Sequence, residues 1–227
     1  MNQIKAIIFD ADGPLYQRTS DNTQANIALL QDFGFEGEYS SFVEAYNKEI
    51  HQVYDRSESV VTLFQHVFAQ LGIRTDDTGV ESFIGRFYKI RAQISPSPHA
   101  IDTLRWFHEN GYKICVLTDH YLSSEGLRDW FEKLSESAYI DDIVSSFDTK
   151  HLKGSPEAYQ ECLLKLSFTP SEVVFVGHQQ YEMDGAKKAG VTSICLASIA
   201  IPVGTNGDHT INSLGELPSL IKQLNGI

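Results

Sequence analysis

The stretch FDADGPLY, residues 9–16, places two aspartates one residue apart at the end of an apolar run and follows them with a glycine and a proline. The run before the acids, IKAIIF at 4–9, consists mostly of branched and aromatic residues, which is typical of a strand buried on both faces. In a parallel α/β sheet, ligands bind at the carboxyl ends of the strands. Asp10 and Asp12 therefore predict a functional site at the end of a first buried strand.

Apolar runs of the same kind recur along the second part of the chain, separated by segments with helical patterns. From about residue 92 onward, strand and helix signals alternate, and such alternation predicts an α/β fold with a parallel sheet. We expect a Rossmann-like core with helices on both faces of the sheet. The recurring runs are YKICVLT (112–118), IVSS (143–146), VVFV (173–176) and SICLA (193–197).

Residues 17–91 interrupt this alternation. They contain no convincing strand, and their apolar residues recur at helical spacing, so we predict a small all-helical cap domain inserted into the core. The core domain would then comprise residues 1–16 and 92–227, and ISPSPHA at 94–100 would be a hinge. The apolar positions are Phe42, Tyr46, Ile50 and Val53, then Val61, Phe64, Phe68 and Leu71, then Val80, Phe83, Ile84 and Phe87.

Charge and cysteine content exclude several classes of function. The net charge of −12 would repel nucleic-acid backbones and anionic lipid surfaces, so we expect neither as a partner. There is no signal-peptide pattern and no apolar span long enough to cross a bilayer. Cys115, Cys162 and Cys195 lie far apart without metal-type spacing, which predicts reduced core residues and a cytoplasmic protein. The oligomeric state stays open.

Polar residues follow or lie near the ends of several predicted strands. Thr118 ends the second run, Lys153 precedes a helix that Ser155 and Pro156 would begin, and GHQQYEMD (177–184) follows VVFV. Because these positions belong to one end of a parallel sheet, we expect an acid pair, a hydroxyl, a lysine and a polar loop to share one rim.

Four segments in this order resemble the motifs of the haloacid dehalogenase superfamily of hydrolases, in the branch with a helical cap after the first motif. DADGPLY resembles the family's D-x-D-G motif, and VLTDH resembles the strand that ends in Thr or Ser. KGSPEAY is similar to K-P-D-P-E-x-Y, and VFVGHQQYEMDGAKKAGV is similar to V-G-D-x-x-x-D followed by G-A-x-x-A-G. Any one of these would be weak, but the ordered set covers nearly the whole chain.

The resemblance implies a role for each matched residue. Asp10 would attack phosphorus to form an aspartyl-phosphate, and Asp12 would protonate the leaving alkoxide and then activate water. Thr118 would hydrogen-bond a phosphoryl oxygen, and Lys153 would neutralise charge beside Asp10. Gly13 would let the chain turn sharply after the acids.

Two further points of the resemblance concern the same rim. Asp119 follows Thr118 and would also lie at the phosphate site, where an extra acid raises the cost of binding a dianion. Lys150 is close enough in sequence to Lys153 to compete for the role of the motif lysine. The sequence does not decide which of the two lysines has this role.

The fourth motif departs from the family pattern. His178 stands where the family has an acid after the glycine, and Glu182 stands where the next acid is expected. The resemblance implies Mg²⁺ held by Asp10, Asp12 and Glu182, with His178 and Asp184 as further candidates. A histidine is a poor magnesium ligand, whereas a softer ion such as Mn²⁺ would tolerate it.

Two classes of function follow from these observations. The first is a metal-dependent phosphatase that acts on a small phosphorylated metabolite and whose helical cap closes over the substrate. The second is a catalytically impaired relative that binds a phosphorylated ligand or a protein partner, because its fourth motif is degenerate. A founding dehalogenase activity is disfavoured, because Asp12 adds an acid that the dehalogenases of the family lack.

Overall fold

A six-stranded parallel sheet forms the centre of the larger of two compact units. A computed structural model describes residues 3–19, 21–56, 59–120, 122–200 and 202–227. The strands of the sheet lie in the order β5-β4-β1-β6-β7-β8, and every neighbouring pair is parallel. The strand bounds are β1 Ala6–Asp10, β2 Tyr16–Arg18, β3 Ile94–Pro96, β4 Lys113–Thr118, β5 Asp142–Ser145, β6 Val173–Gly177, β7 Thr192–Leu196 and β8 His209–Ile211.

The observed sheet confirms the predicted α/β class. The five apolar runs form β1, β4, β5, β6 and β7, with bounds that differ from the predicted ones by up to two residues. The sequence reading missed β8, which contains only three residues, HTI, and lies at the edge of the sheet beside β7. Short edge strands carry too few apolar residues to show a pattern of their own, so pairing with a neighbour decides their formation.

Helices cover the sheet, and β1 is therefore buried along all five of its residues. One face packs against α8, whose Tyr159 and Cys162 belong to the same apolar cluster as Ile8 and Phe175. Helices α5 and α6 contact β4 and β5. The helix bounds in this unit are α5 Ala100–Glu109, α6 Ser124–Lys133, α7 Ser146–Thr149, α8 Pro156–Leu166, α9 Gln180–Lys188 and α10 Leu217–Leu224. The three cysteines are free and buried, as predicted.

Among the residues that the structure describes, four further helices form the smaller unit around a core of phenylalanine rings. Phe64, Phe83 and Phe87 are at most 1% exposed, and the centroids of the Phe64 and Phe83 rings lie 5.2 Å apart. The predicted helical period explains this core, because residues three and four positions apart share one face of a helix. The side chain of Val53, also in the predicted stripes, lies outside the described part. The helices of this unit are α1 Thr23–Asp32, α2 Tyr39–Arg56, α3 Val60–Leu71 and α4 Asp77–Arg91.

Contacts divide the chain into two compact units. The larger unit comprises Met1–Gln17 and Ser95–Ile227, and the smaller unit comprises Arg18–Ile94. The short strands β2 and β3 pair only with each other within the described residues, so neither joins the main sheet. Part of the predicted hinge is therefore a strand rather than a loop. A cap role for the helical unit, residues 17–91 in the sequence reading, stays a prediction. Within the described ranges, no helix is long and apolar enough to cross a membrane.

Candidate active site

Three neighbouring strands end at one edge of the sheet and bring their last residues together. Asp10 ends β1, Thr118 ends β4 and Gly177 ends β6. In the register of the sheet Asp10 lies opposite Leu117 and Phe9 lies opposite Val176, so the three strands stop at nearly the same level. This edge carries the carboxyl ends of the strands, which is where open α/β sheets bind their ligands.

Asp10 and Lys153 form a buried ion pair at this edge. The Lys153 ammonium donates to Oδ1 of Asp10 at 2.5 Å, and the Ala11 backbone N–H donates to the same oxygen at 2.8 Å. Burial by itself would raise the pKa of Asp10, but the charges of Lys153 and His178 outweigh burial, and the pKa is lowered. Burial would likewise lower the pKa of Lys153, but Asp10 and Glu182 hold it well above its ordinary value. Both groups are therefore charged at neutral pH.

Glu182 connects this ion pair to the start of α9. Its Oε1 lies 2.7 Å from the Lys153 ammonium, and its Oε2 accepts the backbone N–H groups of His178 and Gln179, each at 3.0 Å. Glu182 is the third residue of the helix and Gln179 the residue before it, so the carboxylate completes a capping box. The side chain is fully buried. Oε2 is thus hydrogen-bonded to the backbone, whereas Oε1 faces Lys153 without an aligned hydrogen bond among the described residues.

His178 lies against the second oxygen of Asp10. Its Nδ1 is 3.1 Å from Oδ2 of Asp10 and 3.8 Å from Oε2 of Glu182. Neither Nδ1 nor Oδ2 has an aligned hydrogen bond among the described residues, so the contact is electrostatic. Burial lowers the pKa of His178, but Asp10 and Glu182 together raise it, and the net change is upward.

Asp119 supports Lys153 from the opposite side of the rim. Its carboxylate accepts the backbone N–H of Lys153 at 3.1 Å and the hydroxyl of Tyr181 at 2.9 Å. Burial raises the pKa of Asp119 to about 6, although Lys153 and Tyr181 both act in the opposite direction. The sequence reading did not single out Tyr181. Nothing in its immediate sequence distinguishes a tyrosine facing the rim from one on an exposed face of α9.

The predicted residues divide into those the structure brings to Asp10 and those it does not. Lys153 reaches Asp10, whereas Lys150 is exposed and donates to the carbonyl of Phe147 at 2.5 Å. Asp184 is exposed on α9 and accepts a hydrogen bond from Gln180 at 2.9 Å, so it lies outside the cluster.

The other members of the predicted set line the rim near Asp10. Asp12 is half-buried two residues after Asp10. Thr118 is buried at the end of β4. Gly13 has a φ of +99°, which favours glycine, and an added Cβ there would lie 2.8 Å from Ile199 Cδ1 and 3.4 Å from the ring of His178. The predicted sharp turn after the acids is present.

Asp10, His178 and Glu182 could hold a metal ion, since each offers a ligand atom within 4.8 Å of the others. Mg²⁺ prefers an octahedral shell of oxygen atoms. This set offers one nitrogen, from His178, and a carboxylate, Glu182, of which one oxygen is bound by the backbone and the other faces the Lys153 ammonium. The donor set therefore does not fit Mg²⁺. A nitrogen beside carboxylate oxygens suits a transition ion better.

These features define a class of protein, a Rossmann-like α/β enzyme with a buried aspartate–lysine pair at the carboxyl ends of its strands. The chain belongs to the haloacid dehalogenase-like hydrolases, whose family model matches residues 7–196. The family predicted from the four motifs is thereby confirmed.

Known proteins similar to this chain include both phosphatases and dehalogenases. A glyceraldehyde 3-phosphate phosphatase of Methanocaldococcus jannaschii is 24% identical over 97% of this chain and 98% of its own. An (S)-2-haloacid dehalogenase of a Pseudomonas species is 24% identical over 99% of each chain. The solved structure of a predicted phosphoglycolate phosphatase from Haemophilus somnus has a TM-score of 0.75 and 17% identity over 97% of this chain and 99% of its own, which shows the shared fold.

Proposed function

We propose that the protein is a phosphatase that hydrolyses a small phosphomonoester through an aspartyl-phosphate on Asp10. The observation that carries this proposal is the Lys153 ammonium 2.5 Å from Oδ1 of Asp10, at a strand end where a second acid, Asp12, follows. The lysine keeps Asp10 ionised as a nucleophile and supplies positive charge for an incoming phosphoryl group. Phosphatases among the relatives support the same reaction class.

The proposed reaction proceeds in two displacements at phosphorus. A carboxylate oxygen of Asp10 forms a bond to phosphorus while the ester P–O bond breaks, and the leaving alkoxide takes a proton from Asp12. Asp12, now a carboxylate, removes a proton from water as the water oxygen attacks the same phosphorus. The P–O bond to Asp10 then breaks, which releases inorganic phosphate and restores Asp10. Thr118 would donate a hydrogen bond to a phosphoryl oxygen.

Asp12 favours a phosphate ester over a haloacid as substrate. A departing alkoxide is a strong base and needs a proton, whereas a departing halide ion is a weak base and needs none. An acid two residues after the nucleophile therefore has a task in ester hydrolysis that dehalogenation lacks. The expectation from the sequence thus agrees with the chemistry of the site.

Turnover of phosphomonoesters by the purified protein tests the proposal. Phosphate release from p-nitrophenyl phosphate and a panel of phosphorylated metabolites would be compared for the native protein, Asp10→Asn and the control Asp184→Asn, which changes an exposed acid of α9. We expect release by the native protein and the control and none by Asp10→Asn. Halide release from 2-haloacids without phosphate release would contradict the proposal.

The alternative is that the protein binds a phosphorylated ligand without hydrolysing it. The contact between His178 and Asp10 favours this reading, because the ring occupies space beside the nucleophile. Absence of turnover under every metal condition, together with a higher melting temperature in the presence of one phosphorylated metabolite, would support it.

Cap function and location are parts of the same proposal. The helical unit would set substrate choice, and replacing residues 17–91 by the matching segment of a relative should then change the preferred metabolite while Asp10 stays essential. The cytoplasm is the compartment that suits three reduced, buried cysteines. Cell fractionation followed by immunodetection would test the location.

A further inference from the structure

His178 stands at the sequence position where the family pattern has an acid, and its ring lies beside the nucleophile Asp10. The two oxygens of Asp10 face two different basic groups. Oδ1 faces the Lys153 ammonium, and Oδ2 faces the imidazole Nδ1 at 3.1 Å. A carboxylate with a basic group on each oxygen has its charge compensated by the protein itself.

One oxygen of Glu182 is committed to the start of α9, and the other faces Lys153. Its Oε2 accepts two backbone N–H groups that begin α9, and its Oε1 contacts Lys153 at 2.7 Å. Coordination of an ion through Oε2 would break the capping box, and an ion at Oε1, which has no aligned hydrogen bond among the described residues, would compete with Lys153. Both interactions are buried, and a buried polar group that loses its partner costs free energy.

Basic groups of the protein lie against both fully buried carboxylates of the cluster. Asp10 and Glu182 provide two carboxylates, and Lys153 contacts both of them. His178 is the remaining basic group, and its ring packs beside the backbone of Gly13 in the turn that follows the nucleophile. The ring is buried and thus held in place by its surroundings.

From these contacts we infer that His178 takes the place of the divalent ion beside Asp10, so that hydrolysis at this site proceeds without a divalent metal. This inference rests on the proposed phosphatase function. The ring fills the space beside Oδ2 of Asp10, and Lys153 supplies positive charge at Oδ1.

Metal-stripped protein provides the first test. Turnover of p-nitrophenyl phosphate would be measured in excess chelator and then with Mg²⁺, Mn²⁺ or Zn²⁺ added in separate samples. We expect the chelator to change turnover by less than about twofold. A loss of about tenfold or more in chelator, restored by one of the ions, would overturn the inference.

Calorimetric titration with each ion gives a readout that does not depend on activity. We expect no binding of Mg²⁺ to the native protein at concentrations up to roughly millimolar. Specific binding of Mn²⁺ or Zn²⁺ that is lost in His178→Asn would show that the ring is a metal ligand, and it would overturn the inference. This titration decides the question even if no substrate is turned over, so its result is separate from the test of the phosphatase function.

The variant His178→Asp restores the acid of the family pattern. It should gain binding of Mg²⁺ in the titration and should lose activity in chelator, because the ring that replaced the ion is gone. The control His108→Asp makes the same substitution at an exposed histidine of α5 and should behave like the native protein. Circular dichroism would establish that each variant is folded. Unchanged metal binding and unchanged chelator response in His178→Asp would contradict the inference.

Discussion

Glu136 is a buried carboxyl group away from the candidate site, and its environment predicts a pH-dependent loss of stability. It follows α6, is fully buried, and neither of its carboxyl oxygens has a hydrogen-bond partner among the described residues. Burial raises its pKa from the ordinary 4.5 to about 8. The folded protein therefore holds a proton on this group at a pH where the unfolded chain has released it.

The sign and size of the effect follow from these two pKa values. Because the pKa is raised on folding, the contribution of Glu136 to stability is fully present below pH 4.5 and is lost as the pH rises to about 8. The difference between the two values, at about 1.4 kcal/mol per pH unit, sets an upper limit of about 5 kcal/mol. Domains have a total stability of about 5–15 kcal/mol, so even half of this loss should be measurable.

Glu136→Gln removes the titration while keeping the size of the side chain. The free energy of unfolding of the native protein and the variant would be measured in urea at about pH 5 and about pH 8. We expect the stability of the variant relative to the native protein to increase by about 2–3.5 kcal/mol between these two conditions. Other titrating groups are common to both proteins and cancel in the comparison.

Glu132→Gln is the matched control, since Glu132 is an exposed glutamate of α6. Its stability relative to the native protein should stay within about 0.5 kcal/mol at both conditions. If the stability of Glu136→Gln relative to the native protein were also the same at both conditions, the Glu136 carboxyl group would be ionised in the folded protein and the reasoning from burial would be wrong.

Two further predictions concern the support of the candidate site. Lys153→Met should abolish phosphate release and lower the free energy of unfolding by about 3–5 kcal/mol, because it leaves the surrounding carboxylates without their cation. Lys150→Met, at an exposed lysine, should change neither quantity. Equal effects of the two variants on activity would contradict the assignment of Lys153. Gly185→Ala should destabilise the protein and reduce turnover, because the added Cβ would lie 1.8 Å from the backbone carbonyl oxygen of Lys153. The control is Gly85→Ala in α4, where an added Cβ meets nothing within 4 Å. This control should be neutral or stabilising by up to about 1 kcal/mol. Thermal unfolding and phosphate release would check both pairs.

The departure of His178 from the family pattern has a plain consequence for assays of this protein. If the ring stands in for the ion, a screen that relies on added Mg²⁺ to reveal activity would show no stimulation. Turnover measured both with chelator and with metal ions avoids that misreading.

Local sequence determined the five longer strands, the helical insertion and the position of the acids, but not the three-residue strands β2, β3 and β8. Burial on both faces requires continuous apolar runs in the strands, and helical packing requires apolar residues three and four positions apart, so both patterns can be read without neighbours. The position of the acids in FDADGPLY could be predicted because polar residues at the end of a buried strand lie at the edge of the sheet.

Tertiary structure alone decided which side chains meet at that edge. Lys150 and Lys153 are equally polar in the sequence, but only Lys153 is held by Asp119 at a position from which it reaches Asp10. Glu182 resembles a metal ligand in the sequence, yet the start of α9 binds one of its oxygens and the other lies against the Lys153 ammonium. These outcomes depend on the partners that folding brings within a few ångströms from distant parts of the chain, and a local pattern of residue types carries no information about such partners.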